Sequence, residues 1–399
     1  MKIVEINGGV FGSTGKIMFG IKKLAKEFKI EVLCFSPVTS TNKTKEPNEE
    51  YCKIGTYLQR RISVLMARLT GLNGCFAIYE TYKMLKRIEK YNPDIIHLHN
   101  LHDSYINLPM LFSYIKKKNI KVIWTLHDCW AFTGHCTHFI GINCDKWKKG
   151  CFNCSLKKEY PISIWDNSKI MWKLKKKWFI GVKDMIIITP SLWLASLVKE
   201  SFLKEYSVKV INNGIDLKIF TPKDIIKNQD KYIILGVAFG WSNKKGLDVF
   251  IELSNILKEQ YKIILVVTDE NIDKVLPKNI ISIHRTQNQE ELASFYSKAD
   301  VFLNPTREDN FPTVNIEALA CGTPVITFNT GGSPEMLDEN SGRIVECNDI
   351  GNLIENIKEI CEKKVILKED CRKRSLLYDM NDKFLEYIKL YKIKEKGDR

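Results

Sequence analysis

The sequence predicts an α/β protein made of two doubly wound parallel sheets. Three observations point there. Short apolar strand-like runs alternate with helix-like stretches, the series breaks once near the middle, and 399 residues exceed what one hydrophobic core usually supports. Each half is therefore expected to be a Rossmann-like domain, the two facing each other across a cleft.

The strand signals before the break are "KIVEI", "KIEVLCF", "DIIHLH", "KVIWTLH", "MIIITP" and "VKVIN", and those after it are "YIILGV", "KIILVV", "ISIH", "VFLNP" and "PVITF". Continuous apolar runs, rather than strict alternation, mark strands covered on both faces. The interruption, "NNGIDLKIFTPKDIIKNQDK", is polar and carries Gly and Pro, as a linker would. The predicted organisation is an N-terminal domain over 1–212, a linker over 213–231, a C-terminal domain over 232–375, and a helix over 376–399 that packs back across both. No solenoid-period repeat or low-complexity segment interrupts this plan.

Composition narrows the function classes. No apolar run reaches the roughly 18 residues that cross a bilayer, and "MKIVEINGGVFGSTGK" reads as a strand and Gly-rich turn rather than a signal peptide, so the chain is expected in the cytoplasm. In a long chain of this kind twelve cysteines suggest reduced thiols or metal ligands. Charge is uneven: residues 1–212 hold 34 Lys and Arg against 17 Asp and Glu, leaving 27 against 30 for the rest of the totals of 61 and 47. Something anionic is expected to approach the first half: a membrane surface, a phosphorylated substrate or nucleic acid. "LQRRISVLMARL" and "MWKLKKKWF" set cations beside apolar residues, which suits an anionic lipid surface. A nucleic-acid partner is not expected, because no RNA-recognition strand signature occurs.

Site residues belong at the C-terminal ends of such strands. In "GGVFGSTGKI", Gly8, Gly9, Gly12 and Gly15 link the first strand to the first helix, where backbone can approach a ligand. Val10 and Ile17 occupy places where a nucleotide-hydrolysing P-loop needs Gly and Ser or Thr, so that chemistry is excluded. His99 and His127 follow two strands, where an imidazole can orient a hydroxyl. Lys244 and Lys245 follow the first strand of the second half and could neutralise a diphosphate. In "EDNFPTVNIEALACGTP" a helix starting at Thr313 offers amide groups and a positive dipole end to a pyrophosphate. Glu317 lies one turn further on the same face, where it can accept two hydrogen bonds from a ribose diol. No Lys or Arg stands at 313, 314, 320 or 321 to pair with it. Asp309, ahead of the helix, would meet a sugar on the other side of the diphosphate.

These elements resemble the retaining nucleotide-sugar glycosyltransferases of family 4, which have the two-domain B-type fold. The likeness spans nearly the whole chain and rests on the Gly-rich first loop, "PDIIHLHN", "TLHD", "VINNGID", "KKGLD", the acid pair Asp309 and Glu317, and "EALACGTPVITFNTGGSPE". It implies sugar transfer from a nucleotide diphosphate donor to a glycan or polyprenyl-linked acceptor, with retained configuration and no catalytic metal or other cofactor. The N-terminal domain would then be the acceptor side and the C-terminal domain the donor side. Carried over, Lys245 holds the diphosphate, Glu317 the ribose, Asp309 the donor sugar and His127 one of its hydroxyls, while Gly9 and Gly12 line the acceptor side. The donor loop adds Glu308, Asn310, Phe311 and Thr313. Three departures are visible, the first being Pro312, which removes one N–H from the loop that would cradle the donor. An Asp stands where the first acid is usually Glu, leaving open whether Glu308 or Asp309 reaches the sugar, and Phe239 replaces a frequent Arg, so Lys244 shares the diphosphate.

"HDCWAFTGHCTHFIGINCDKWKKGCFNCS" resembles a subset of these enzymes encoded with bacterial surface-polysaccharide genes. Its Cys136, Cys144, Cys151 and Cys154 could form a structural zinc site that ties down a long loop, or stay reduced thiols. Only Cys151 and Cys154 have the paired spacing. The alternatives on function are a nucleic-acid-binding protein, or an epimerase or phosphorylase on the same fold.

Overall fold

A computed structural model describes residues 1–43, 50–225 and 231–393. The chain divides into two compact units, Met1–Asn212 together with the C-terminal residues from Lys383, and Asn213–Asp382.

The first unit is built on seven strands: β1 (Lys2–Ile6), β2 (Glu31–Pro37), β3 (Tyr51–Ile54), β4 (Ile95–Leu98), β5 (Lys121–Thr125), β6 (Met185–Thr189) and β7 (Ser207–Val210). The second holds six: β8 (Tyr232–Val237), β9 (Tyr261–Val266), β10 (Ile280–Ile283), β11 (Val301–Asn304), β12 (Val325–Phe328) and β13 (Gly342–Val345). The sheets run β3-β2-β1-β4-β5-β6-β7 and β10-β9-β8-β11-β12-β13. Every pairing is parallel, from Ile3 opposite Val32 and Ile95 to Val301 opposite Ile234. All eleven strands read from the sequence are present.

Parallel strands need helical crossovers, and the helices cover both faces of each sheet. The central strands are consequently buried throughout, as in β4, β11 and β12. The strand order reverses between β1 and β4 in one sheet and between β8 and β11 in the other. At such a switch point the crossovers leave in opposite directions and open a crevice beyond the strand ends. Each crevice takes its residues from the loops after two strands: Asn7–Phe11 and His99 onward in the first unit, Ala238–Lys245 and Pro305–Pro312 in the second.

The segment expected as a linker is packed where it is described. Ile215, Leu217 and Phe220 are buried in the core of the second unit, and Ile215 bridges to Asp379. These three apolar side chains at spacings of two and three anchor a stretch that its polar composition hides. Residues 226–230 of that segment lie outside the described residues. The C-terminal helix Met380–Lys392 begins in the second unit and continues in the first. There Phe384 lies against Gly20, and Lys121 Nζ donates to the Ile393 carbonyl over 2.9 Å. Residues 394–399 of the predicted helix lie outside the described residues.

Candidate functional site

In the second unit the loops after β8 and β11 are joined along their backbones. Arg307 N–H donates to the Lys244 carbonyl over 2.8 Å. Gly246, at φ +77°, has Pro305 only 2.4 Å from where a Cβ would stand, so only glycine lets the loops approach this closely. The join brings the predicted charges together. Lys245 Nζ lies 2.7 Å from Asp309 Oδ2 and Lys244 Nζ 2.9 Å from Glu308 Oε2. Glu308 is nearly buried at 9% side-chain exposure, while Asp309 and Lys245 keep 25% and 30%. Of the two acids, Asp309 is the more accessible.

The helix Thr313–Ala320 begins after Pro312, whose fixed φ suits a helix start, and ends where Gly322 adopts φ +78°. Its Ile316, Ala318, Leu319 and Ala320 are buried, which holds the helix against the sheet. Glu317 stays partly exposed and is positioned by two hydroxyls. Tyr296 donates to Oε2 over 3.0 Å and Thr313 to Oε1 over 3.5 Å. Burial, followed by the Glu317 charge, pushes the Tyr296 phenol well above its ordinary pKa, so it remains a donor. Phe311 packs against Tyr378 at 5.8 Å between ring centroids, and Asn310 is also buried. Their side chains build the loop's floor, which leaves backbone groups for any ligand contact there.

Arg307 was not anticipated as part of this site. It makes a two-point contact with Asp248, 2.8 Å on each nitrogen, and its Nη2 donates to Asn348 Oδ1 over 2.6 Å. Through these it fixes the start of the helix following Lys245. Its position between "NPT" and the two acids was the available signal.

In the first unit, Gly12 opens the first helix at φ +81° with nothing within 4 Å of a Cβ built there, and Gly9 has only the Phe11 carbonyl at 3.7 Å. Gly15 differs, since a Cβ would fall 2.5 Å from the Val10 carbonyl. His127 follows β5, its Nε2 3.2 Å from His99 Nδ1 and the two rings stacked at 5.5 Å. Burial, then the neighbouring His99, holds His127 down to about 3, so a neutral imidazole is presented.

Behind this pair stands a buried array that the sequence reading missed. Glu5, in β1, lies 3.8 Å from His99 Nε2 and 3.7 Å from His97 Nδ1. The Tyr391 hydroxyl donates to Glu5 over 3.1 Å and lies 2.6 Å from His97 Nδ1, while His97 Nε2 is 2.8 Å from Thr125 Oγ1. Burial alone would raise Glu5, but the imidazoles of His97 and His99 facing it hold it below the usual carboxylate range. Burial, then the neighbouring His99, holds His97 down to about 4. Donor atoms of Glu5, His97 and His99 lie within 4.8 Å of one another, a metal-like grouping. Both His97 nitrogens are already engaged, so the set reads as a hydrogen-bonded scaffold for His127. An acid inside the apolar "KIVEI" was the signal.

Cys136, Cys144, Cys151 and Cys154 line one cavity of about 240 Å³ with His135 and Trp147.

Two family profiles match the chain in succession, "Glycosyltransferase Family 4" over residues 21–219 and "Glycosyl transferases group 1" over 218–376. The chain belongs to glycosyltransferase family 4. This glycosyltransferase is 24% identical over 331 residues to the candidate colanic acid biosynthesis glycosyl transferase WcaC of Escherichia coli K12, covering 78% of this chain and 79% of the relative. Among solved structures it resembles sucrose-phosphate synthase of Thermosynechococcus elongatus (TM-score 0.71, 18% identity, 98% of both chains). It also resembles Anabaena Alr3699/HepE, solved in complex with UDP (TM-score 0.65, 14% identity, 98% and 99% of the two chains). The two parallel α/β sheets of the glycosyltransferase agree with the B-type fold expected from its sequence.

Proposed function

We propose that the protein is a retaining glycosyltransferase that moves a hexose or related sugar from a nucleotide diphosphate donor to a glycan or lipid-linked acceptor in surface polysaccharide biosynthesis. One observation carries the reading. At the switch point of the second sheet, Lys244, Lys245, two acids and the amino end of Thr313–Ala320 converge, with Glu317 one turn inside. That set matches the parts of a nucleotide sugar in order: ribose diol, diphosphate, hexose hydroxyls. The name of the WcaC relative and the UDP bound to HepE support the pathway and the donor class.

In this reading the donor's anomeric C–O bond breaks toward the diphosphate, whose charge is met by Lys244, Lys245 and the helix amides. A diphosphate oxygen takes the proton of the acceptor hydroxyl, and the new C–O bond forms on the same face. Asp309 is released from Lys245 to meet the hexose. The experiment is incubation of the purified chain with UDP- and GDP-sugars and a polyprenyl-linked acceptor, the product anomer being read by NMR. An α donor giving a β product would overturn retention. Donor breakdown without any transferred sugar would favour the epimerase or phosphorylase alternative.

The acceptor class is supported by the helix Tyr57–Thr70, which is turned inside out. Its buried residues are the small Ser63 and Ala67, while Leu58, Ile62, Leu65, Met66 and Leu69 face outward at 40–66% exposure. Ile164 N–H donates to the Arg68 carbonyl over 2.8 Å and Asn167 Nδ2 to the Thr70 carbonyl over 2.6 Å, which sets the exposed Ile162, Ile164 and Trp165 beside that stripe. With Arg61, Arg68, Lys169 and Lys173 exposed around it, the patch suits an anionic bilayer surface. "MWKLKKKWF" contributes less than its sequence suggests, because Met171, Trp172 and Phe179 pack inward. No described helix is long and apolar enough to cross a membrane. We place the protein at the cytoplasmic face of the plasma membrane.

A further inference from the structure

We propose that Tyr160, held through His102 by Asp128, binds a hydroxyl of the acceptor's terminal sugar, and that this sugar is carried on a lipid. The inference deepens the transferase reading above and rests on it, since it assigns acceptor contacts within the first unit.

The residues come from the loops after β4 and β5. Asp128 directly follows His127, and His102 lies three residues beyond His99. Asp128 Oδ1 accepts the Trp130 N–H over 2.8 Å, while Oδ2 faces His102 Nε2 at 3.1 Å. His102 Nδ1 in turn lies 2.7 Å from the Tyr160 hydroxyl. The His102 and Asp128 side chains are each 14% exposed, whereas Tyr160 keeps 48%. The chain of contacts therefore runs from a shielded carboxylate to a half-exposed tyrosine.

Donors and acceptors give that chain a direction. A carboxylate only accepts, so the neutral His102 ring carries its hydrogen on Nε2, and its bare Nδ1 accepts from the Tyr160 O–H. Burial alone would raise Asp128, but the facing His102 holds it below the usual carboxylate range, which keeps it ionised. The Tyr160 oxygen is left with lone pairs for a ligand's donor. Tyr160 and Trp130 flank the His102 ring nearly at right angles, at 5.4 and 5.8 Å between centroids. Trp130 is buried, and its Nε1–H has no hydrogen-bond partner among the described residues. A buried donor of this kind calls for a partner. An acceptor and a donor flanking one ring suit a sugar hydroxyl, which is both. A phosphate suits them less, because Asp128 and Asp103 stand against His102 and Arg60 and leave no excess of positive charge. Burial, then Asp103 and Asp128, pushes the Tyr160 phenol well above its ordinary range, so it positions the acceptor and takes no proton from it.

The place of Tyr160 in the chain indicates what carries the sugar. It comes just before the exposed Ile162, Ile164 and Trp165, whose loop is hydrogen-bonded to the helix Tyr57–Thr70. From that same helix Arg60 pairs with Asp103, the neighbour of His102. The polar chain is thus tied at both ends to the apolar stripe assigned to the bilayer, and a sugar at Tyr160 sits beside the lipid surface.

The test titrates the full chain, with UDP present, with octyl β-glycosides of hexoses, 6-deoxyhexoses and N-acetylhexosamines below their micelle concentrations, read by calorimetry. Wild type should bind at least one of them tighter than n-octanol, and roughly tenfold or more tighter than the methyl glycoside of the same sugar. Tyr160→Phe keeps the ring and should weaken that binding about 3–10-fold, with Tm within about 2 °C and UDP affinity within about twofold of wild type. His102→Leu should weaken it at least as much, and His102→Gln, whose amide offers both a donor and an acceptor, should recover most of the loss. In the transfer assay the acceptor KM should rise in Tyr160→Phe while the UDP-sugar KM stays, a split that a purely structural tyrosine would not produce. If His102→Leu fails to fold, Tyr160→Phe decides. Octyl glycosides that bind Tyr160→Phe as tightly as wild type, or that bind wild type no tighter than n-octanol, would overturn the proposal, and equal affinity for methyl and octyl glycosides would overturn its lipid carrier. A wild type that binds no UDP would overturn the transferase reading and this assignment with it, whereas with UDP bound the other failures fall on this assignment alone.

Discussion

Replacing Glu317 by Gln separates the structural role of this carboxylate from the ribose-binding role proposed for it. Oε2 accepts the hydroxyl of the fully buried Tyr296 over 3.0 Å, and the residue as a whole stays partly exposed, within reach of a ligand. Glu317→Ala removes both functions. Depriving a buried hydroxyl of its acceptor costs about 1–3 kcal/mol, and at about 2–4 °C per kcal/mol for a unit of this size the Tm falls by roughly 2–12 °C. Glu317→Gln keeps an amide oxygen for Tyr296, so its Tm should stay within about 2 °C of wild type. It nevertheless exchanges the charged acceptor proposed for the ribose diol for a neutral group that is half donor. Losing one charge-assisted hydrogen bond of about 1.5–3 kcal/mol weakens UDP binding roughly 10–150-fold. Calorimetric titration with UDP and a thermal melt on the same preparation read the two effects. A Gln variant that binds UDP within about twofold of wild type would refute the reasoning, whatever the Ala variant does.

Lys245→Met should weaken UDP binding by about 1.5–3 kcal/mol, with a smaller effect on binding of the nucleoside uridine, which lacks the phosphates. Equal losses for both ligands, by calorimetry, would mean that Lys245 acts only through its pair with Asp309. Acid should destabilise the first unit through His97 and His127. Their folded values of about 4 and 3 lie below the unfolded 6.5, so each stabilises the fold fully above pH 6.5 and loses that contribution as the pH falls toward 4 and 3. Glu5, also lowered and facing His97, His99 and Tyr391, acts in the same direction. Denaturant unfolding should show stability falling by up to about 1.4 kcal/mol per pH unit per histidine below pH 6.5, and a flat profile from 7 to 5 would contradict this. Tyr391→Phe, which removes the donor to Glu5, should cost about 1–3 kcal/mol in the same assay. Vesicles with anionic lipid should sediment the wild-type chain at low salt and release Ile62→Glu/Leu65→Glu, and a wild type that stays in the supernatant would exclude a membrane-facing helix.

The sheets were legible because buried parallel strands must be apolar on both faces. The two strands that went unread show where that logic stops. β3, "YCKI", and β13, "GRIV", are edge strands, covered less completely, so their sequences carry Lys and Arg and break the apolar run. The residues proposed for the donor side could be singled out because Lys245, Asp309, Thr313 and Glu317 follow strand ends at fixed offsets. Their pairing could not, since Lys245 and Asp309 are 64 residues apart and the join depends on Gly246 passing Pro305. The array behind His127 was still less accessible. Glu5 and Tyr391 are separated by 386 residues, and a tyrosine in an amphipathic C-terminal helix looks like any other core aromatic.

The most direct measurement is a crystal structure of the chain with a bound UDP-sugar. The account predicts the ribose hydroxyls within hydrogen-bond distance of the Glu317 carboxylate, and the diphosphate over the first turn of Thr313–Ala320 with Lys245 upon it. A nucleotide bound elsewhere, with Glu317 touching only Tyr296 and Thr313, would contradict it.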